Sequence, residues 1–197
     1  MTNKVHNFSA GPSILPDKVF EQASSAINNF NGTGLSIIEM SHRSKDFMDV
    51  LEEARSLAIE ISGLDENKYS CLFLQGGASM QFLMTAYNFL NNNAAYINTG
   101  SWSTKAIKEA KLFGNVTEIA SSSDKNFNYI PKNIGINEDF DYLHLTSNNT
   151  IFGTQFHSFP KSNCPLIADM SSDIFSRKID LSKFDLIYAG AQKNLGP

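Results

Sequence analysis

The chain has 197 residues, 42% of them hydrophobic and 18% charged, and 16 basic against 20 acidic side chains give a formal net charge of -4. This composition is that of a globular protein with a sizeable core, and it excludes disordered, collagen-like and low-complexity chains. The acidic balance gives no general attraction to nucleic acid. We therefore expect one large domain, or one domain with part of another, and no nucleic-acid partner.

Targeting signals and cysteine usage point to one compartment. The amino terminus has no apolar segment typical of a secretory signal, and apolar runs such as 71–74 are far shorter than the roughly 20 residues that cross a bilayer. Cys71 and Cys164 are too few for a disulfide scaffold or a zinc site, and both lie in runs typical of buried thiols. We expect a cytoplasmic protein with no membrane contact and no metal.

The first third of the chain predicts two amphipathic helices. Apolar side chains recur at helical spacing after Pro16, and a glycine-containing cluster at 31–34 ends this helix. A second apolar stripe begins after Ser44 and stops at Gly63. From residue 69 onward the pattern predicts strands over 69–74, 94–98, 116–120, 142–146, 166–169 and 186–189, and helices over 79–90 and 101–113.

Alternating strands and helices predict an α/β protein whose mainly parallel sheet is covered by helices on both faces. In such sheets, ligands bind at the carboxyl ends of the strands. Polar residues follow several predicted strands directly, at 76–79, 101–102, 148–150, 169 and 192–193. These residues could converge on one pocket.

A turn with two glycines joins the first of these strands to a helix that opens with Ala78 and Ser79. Backbone N–H groups and a hydroxyl would then point at one place, forming an anion site that the helix dipole favours. The alternative is a plain turn in which Ser79 caps the helix. The segment is neither a Walker A loop nor a GxGxxG motif.

Three single residues each allow a structural and a chemical interpretation. Trp102 is either a core anchor or an aromatic platform for a flat ligand. Asp169 is either a cap or the partner of a cation such as a protonated pyridine nitrogen. Lys193 is either a surface lysine or an amine that forms a Schiff base with a carbonyl. A separation of 24 residues, about one crossover, would let Asp169 and Lys193 reach opposite ends of one bound ring.

With these residues assembled, the sequence resembles the phosphoserine aminotransferases, pyridoxal-phosphate enzymes of the class V aminotransferase family with fold type I. Seven motifs in family order carry the resemblance, at 7–16, 39–47, 76–82, 98–103, 147–153, 168–172 and 189–197. The resemblance implies an N-terminal arm over 1–15 and an incomplete cofactor-binding large domain over 16–197. The family's C-terminal small domain would be absent from this chain.

The resemblance also implies residue roles. Lys193 would bind pyridoxal 5'-phosphate covalently and shuttle the proton, Asp169 would pair with the pyridinium nitrogen, and Trp102 would stack on the ring. Further cofactor contacts would come from Ala78, Ser79, Thr150 and Gln192, and substrate-carboxylate contacts from His42 and Arg43. Some relatives have an arginine at the position of Ser79 that helps to hold a substrate phosphate, so phosphate recognition would depend on other residues here.

The implied reaction transfers an amino group between L-glutamate and 3-phosphohydroxypyruvate, giving O-phospho-L-serine and 2-oxoglutarate in serine biosynthesis. The family also implies a homodimer with shared active sites, and some members act in vitamin B6 biosynthesis. Two alternatives stay open. In the first, the chain is another fold type I enzyme, such as a desulfurase or an alanine–glyoxylate transaminase. In the second, it is a non-catalytic fragment, an alternative suggested by the end of the sequence four residues after Lys193.

Overall fold

The computed structural model describes residues 5–132, 134–136 and 139–196, and the chain divides into two compact units. One unit lies within Met1–Phe73, and the other is Leu74–Leu195. Every candidate residue that follows a predicted strand lies in the second unit, whereas His42 and Arg43 lie in the first. None of the helices in the described ranges is long and apolar enough to span a membrane.

The first unit contains two helices, α1 (Asp17–Asn28) and α2 (Lys45–Ser62), as the sequence predicts. Pro16 precedes α1, a place where the missing N–H costs no intrahelical hydrogen bond. The hydroxyl of Ser44 accepts a backbone hydrogen bond at the start of α2, and Gly63 ends that helix in the left-handed conformation. Local capping chemistry therefore sets both ends of α2.

The strand predicted over 69–74 is absent, so that prediction was wrong. No described strand pairs with this segment, and the side chains of Leu72, Phe73 and Leu74 are 65%, 50% and 56% exposed. A run of apolar residues becomes a strand only where a neighbouring strand completes its hydrogen-bond ladder. An apolar run by itself therefore does not determine that a segment forms a strand.

The second unit is built on a parallel sheet. Its elements are α3 (Gly77–Phe89), β1 (Asn93–Asn98), α4 (Ser101–Ala110), β2 (Asn115–Ser121), β3 (Leu143–Thr146), β4 (Asn148–Asn149), β5 (Thr154–Gln155), β6 (Leu166–Asp169) and β7 (Leu186–Tyr188). The sheet order is β2–β1–β3–β6–β7, and all neighbouring pairs run parallel. The α/β class with a mainly parallel sheet is thus confirmed. The antiparallel hairpin β4–β5 was not predicted.

Strand register places the candidate site on one face of this sheet. Thr146 pairs with Asp169, and Asp169 pairs with Tyr188, so these three side chains leave the same face. Residues of this face pack with residues of α3 and α4 to form the core. Its buried members are Phe82, Ala86, Ala94, Tyr96, Ala106, Ile107, Ala110, Tyr142, Ile167 and Tyr188. β3 and β6 are buried at every position, so both faces of the sheet centre are covered.

Two hydrogen-bonded pairs of polar aromatic residues are buried in the second unit. The hydroxyls of Tyr96 and Tyr142 lie 2.7 Å apart, and His144 Nε2 lies 2.7 Å from the Tyr188 hydroxyl. The Tyr96 ring also stacks on the imidazole of His144, with centroids 4.8 Å apart. Pairing offsets the cost of burying these polar groups. Burial lowers the pKa of His144 to about 3, so the imidazole is neutral in the folded protein at ordinary pH.

Candidate active site

Asp169 ends β6 as a buried carboxylate with only 3% of its surface exposed. Its Oδ1 accepts hydrogen bonds from the backbone N–H of Ser171 at 2.9 Å and from the Ser171 hydroxyl at 2.6 Å. Burial raises the pKa of Asp169, while the Ser171 hydrogen bonds and the positive charge of Lys193 act against that rise. A further cation next to this carboxylate would stabilise its ionised form.

Lys193 follows β7 by five residues and is half-buried. Its Nζ donates a hydrogen bond to Thr150 Oγ1 at 3.0 Å and lies 5.4 Å from the centroid of the Trp102 ring. Burial lowers the pKa of Lys193, and the carboxylate of Asp169 opposes this shift. The amine is therefore neutral more often than that of a solvated lysine, which is what attack on a carbonyl requires.

A close approach between the β4–β5 hairpin and the start of α4 brings Thr150 toward Trp102. The side-chain amide of Asn149 donates to the carbonyl of Thr99. A Cβ at Gly100 would lie 2.6 Å from Asn149 Cγ, so only glycine leaves room for this contact. The segment 98–103 thus has a steric role in addition to carrying Trp102.

Trp102 lies in the first turn of α4, half-buried against the core. Lys105 Nζ lies 4.4 Å from the Trp102 ring centroid, so two lysines, Lys105 and Lys193, place their ammonium groups near one ring. The buried indole Nε1 finds no hydrogen-bond partner among the described residues. Sequence reasoning missed Lys105, although its spacing of three residues from Trp102 on a predicted helix was an available signal.

Two glycines with positive φ form the start of α3, Gly76 before the helix at 94° and Gly77 as its first residue at 59°. Gly76 is the N-cap, so the alternative in which Ser79 caps the helix is wrong. Ala78 is half-buried against the core and Ser79 is exposed. The first N–H groups of a helix have no partner within the helix, so those at the start of α3 are suited to binding an anion.

A ring contact places α3 beside the end of β7. The rings of Phe82 and Tyr188 meet edge to face, with centroids 6.1 Å apart. Phe82 lies one helical turn after Ala78, and Tyr188 is five residues before Lys193. The start of α3 and the segment carrying Lys193 are therefore anchored to the same part of the core.

The structure brings four of the predicted site residues together. Asp169, Lys193, Thr150 and Trp102 form one cluster, through direct contacts or electrostatic influence. Gln192 is exposed beside this cluster. His42 and Arg43 are exposed residues of the first unit, and their role toward a substrate stays a prediction.

Comparison with known proteins defines the class of protein. The chain belongs to the aminotransferase class-V family, whose model matches residues 5–197. The resemblance drawn from the seven motifs is thereby confirmed.

Curated relatives share the sequence along its whole length. It is 63% identical to the phosphoserine aminotransferase of Flavobacterium johnsoniae, over 98% of this chain and 55% of that relative. It is 59% identical to the phosphoserine aminotransferase of Bacteroides fragilis, over 98% of this chain and 54% of that relative. The chain therefore spans about half the length of the curated relatives that it matches.

Solved structures share the fold. Phosphoserine aminotransferase from Bacillus circulans subsp. alkalophilus matches 100% of this chain and 55% of its own, with a TM-score of 0.95 and 48% identity. The pyridoxal-phosphate-bound phosphoserine aminotransferase from Trichomonas vaginalis matches 98% of this chain and 56% of its own, with a TM-score of 0.90 and 35% identity. The fold of this chain is thus that of the corresponding half of these enzymes.

Proposed function

We propose that this chain is the cofactor-binding part of a pyridoxal-phosphate-dependent transaminase that transfers an amino group between L-glutamate and 3-phosphohydroxypyruvate. The large domain would comprise residues 16–197 behind an arm over 1–15, with the small domain outside this sequence. The names of relatives that are 56–63% identical support the choice of substrates. The observation that carries the chemistry is the half-buried amine of Lys193, which contacts Thr150 and lies near the buried Asp169.

The described residues fit pyridoxal phosphate. Burial disfavours the charge of Asp169, so a protonated ring nitrogen beside it would compensate for that cost. The backbone N–H groups at Ala78 and Ser79 would bind the phosphate, and Trp102 would stack on the ring. When bound, the cofactor supplies an electron sink and carries the amino group between the two substrates.

The residues of this chain would then hold and move protons. Asp169 would keep a proton at the ring nitrogen, and Lys193 Nζ would move the proton at the substrate α-carbon. Thr150 Oγ1 accepts a hydrogen bond from that amine and would orient it. Gln192 would add a cofactor contact. The planar guanidinium of Arg43, with His42 beside it, would bind the substrate carboxylate.

The same resemblance supports the proposed assembly and cellular role. The protein would be a cytoplasmic homodimer with active sites shared between subunits. It would act in serine biosynthesis and, as some family members do, in pyridoxine biosynthesis. We propose no nucleic-acid or membrane partner.

A substrate panel tests the proposal. The purified protein, loaded with pyridoxal phosphate, is given L-glutamate and either 3-phosphohydroxypyruvate or an unphosphorylated keto acid such as glyoxylate. We expect kcat/KM to favour the phosphorylated acid by about tenfold or more, because a site built for a phosphate leaves charged groups unpaired without it. Lys193→Ala should abolish turnover. Preference for glyoxylate would contradict the proposal and favour an alanine–glyoxylate transaminase.

A further inference from the structure

The loop that follows β6, residues 170–177 and here named the clamp loop, holds the segment that carries the reactive lysine. The hydroxyl oxygen of Ser171 accepts a hydrogen bond from the backbone N–H of Gly190 at 2.9 Å. The carbonyl of Ile174 accepts one from Asn194 Nδ2 at 2.7 Å. One loop therefore fixes the chain on both sides of the lysine.

The clamp loop also closes the base of the β4–β5 hairpin through Asp173, a carboxylate with only 2% of its surface exposed. Its Oδ1 accepts a hydrogen bond from the hydroxyl of Ser147, and its Oδ2 accepts one from Gln155 Nε2 at 3.0 Å. Ser147 precedes β4, and Gln155 ends β5. A single buried carboxylate thus joins the two ends of the hairpin whose turn carries Thr150.

Arg177 strengthens this closure. One of its terminal guanidinium nitrogens lies 3.8 Å from Asp173 Oδ2 and donates to the carbonyl of Phe156 at 2.5 Å. Phe156 follows β5 directly and donates its backbone N–H to the carbonyl of Ser147 at 2.8 Å. In the same loop Phe175 has a φ of 59°, a left-handed conformation that a bulky residue rarely adopts. Such backbone geometry persists where the surrounding contacts over-determine it.

We infer that Asp173 is a positioning residue that keeps Thr150 within hydrogen-bonding distance of Lys193 without contacting that lysine itself. The clamp loop fixes both partners of the 3.0 Å contact, the hairpin through Asp173 and the lysine segment through its other hydrogen bonds. The catalytic meaning of this inference rests on the proposed function, but its test does not.

A hydroxyl oxygen stabilises an ammonium group more than a neutral amine. Loosening the hairpin should therefore leave Lys193 neutral, and reactive toward acylating reagents, more of the time. Among the described residues, the charge of Asp169 on β6 acts on the amine, and the ammonium group of Lys105 lies near the same Trp102 ring. The charge of Asp173 also raises the pKa of Asp169, so Asp173→Asn changes the electrostatics of the site as well as the hairpin. Gln155→Met and Thr150→Val keep every charge, so a faster modification in these variants reports on the hairpin contact.

The test measures how fast acetic anhydride modifies Lys193 in the full chain with no cofactor bound, at one mildly alkaline pH, by mass spectrometry of the peptide. Asp173→Asn keeps the side-chain shape and removes the charge. We expect it to speed the modification by about three- to tenfold, the range that corresponds to loss of one hydrogen bond of typical net strength. Thr150→Val should have a similar effect. In the double variant, Asp173→Asn should add nothing to the effect of Thr150→Val.

Two further variants complete the design. Asp180→Asn is the matched control, because Asp180 accepts hydrogen bonds from the Ser182 hydroxyl and N–H on the same β6–β7 connection but is exposed. It should leave the rate unchanged. Gln155→Met removes one hydrogen bond of Asp173 and should give a smaller acceleration, which keeps the inference testable if Asp173→Asn does not fold.

An unchanged rate in Gln155→Met, whether or not Asp173→Asn folds, would overturn the inference, because this variant loosens the hairpin and keeps every charge. Additive effects in the double variant, or an acceleration in Asp180→Asn, would do the same. None of these outcomes bears on amino transfer, because the readout is the amine of Lys193 alone. In the cofactor-loaded protein, Asp173→Asn should lower kcat while leaving KM for the keto acid nearly unchanged.

Discussion

At the scale of single residues, the buried Asp169 and the half-buried Lys193 influence one another's charge. Burial raises the pKa of Asp169 and lowers the pKa of Lys193, so it favours the neutral form of both. The attraction between their charges acts in the opposite direction in both cases. The pKa of Lys193 is thus lowered by burial and supported by the nearby carboxylate, a balance that suits a group required to attack and to transfer protons.

Changing Asp169 should alter the reactivity of Lys193 in a known direction. Asp169→Asn removes the negative charge that favours the ammonium form, so the pKa of Lys193 should fall further below its ordinary value of 10.5. Acylation of Lys193 at mildly alkaline pH should then be faster than in the unchanged protein. The exposed Lys111 serves as an internal control and should react at the same rate in both. Slower acylation of Lys193 would contradict this electrostatic account.

At the scale of elements, the end of α2 depends on the backbone of one residue. Gly63 has a φ of 66°, and a Cβ placed there would meet nothing within 4 Å. Gly63→Ala should therefore cost about 1 kcal/mol of unfolding free energy from backbone strain alone. Urea unfolding measures this cost. Ser56→Ala, at an exposed position inside α2, is the control and should change the free energy of unfolding by less than about 0.5 kcal/mol. If Gly63→Ala is as stable as the unchanged protein, this explanation of the helix end is wrong.

The elements that could be predicted from the sequence are those that local residues determine. Ser44 and Gly63 set the ends of α2 by capping, so its bounds were predicted to the residue. The segment 69–74 was predicted wrongly because strand pairing is not local. The β4–β5 hairpin was missed because its strands have two residues each, too few for an alternating pattern, and because its position depends on the distant Gly100.

The same distinction applies to the candidate site. Asp169 and Lys193 could be found from the sequence because Asp169 ends one strand, Lys193 follows another, and both lie in recognisable motifs. Asp173 lies one residue beyond such a motif, and nothing in its neighbourhood signals that it closes a hairpin 18 residues before it. Long-range hydrogen bonds of this kind leave no periodic trace in a sequence.

At the scale of the whole molecule, the core of the second unit is not purely apolar. His144 and Tyr188 form one buried polar pair and Tyr96 and Tyr142 form another, and all four are buried. A buried neutral histidine links the stability of the fold to pH. The unfolded chain takes up a proton near the ordinary histidine pKa of 6.5, whereas the folded protein does so only near pH 3.

Stability should therefore fall as the pH is lowered from about 6.5 toward 3, since the unfolded state binds the extra proton over this range. By pH 5 the titration of His144 should have lowered the free energy of unfolding by about 2 kcal/mol. His144→Gln removes the titrating group and keeps an amide near Tyr188, so its stability should fall less steeply. Urea unfolding at pH 7 and pH 5 measures both slopes, and equal slopes would contradict the prediction.

The most direct test of the central claim is the visible spectrum of the purified chain with added pyridoxal phosphate, before and after borohydride reduction, with the modified peptide mapped. We expect an absorbance band that reduction removes and a stable adduct on Lys193. An adduct on another lysine, such as Lys105 beside the same tryptophan ring, would contradict that claim.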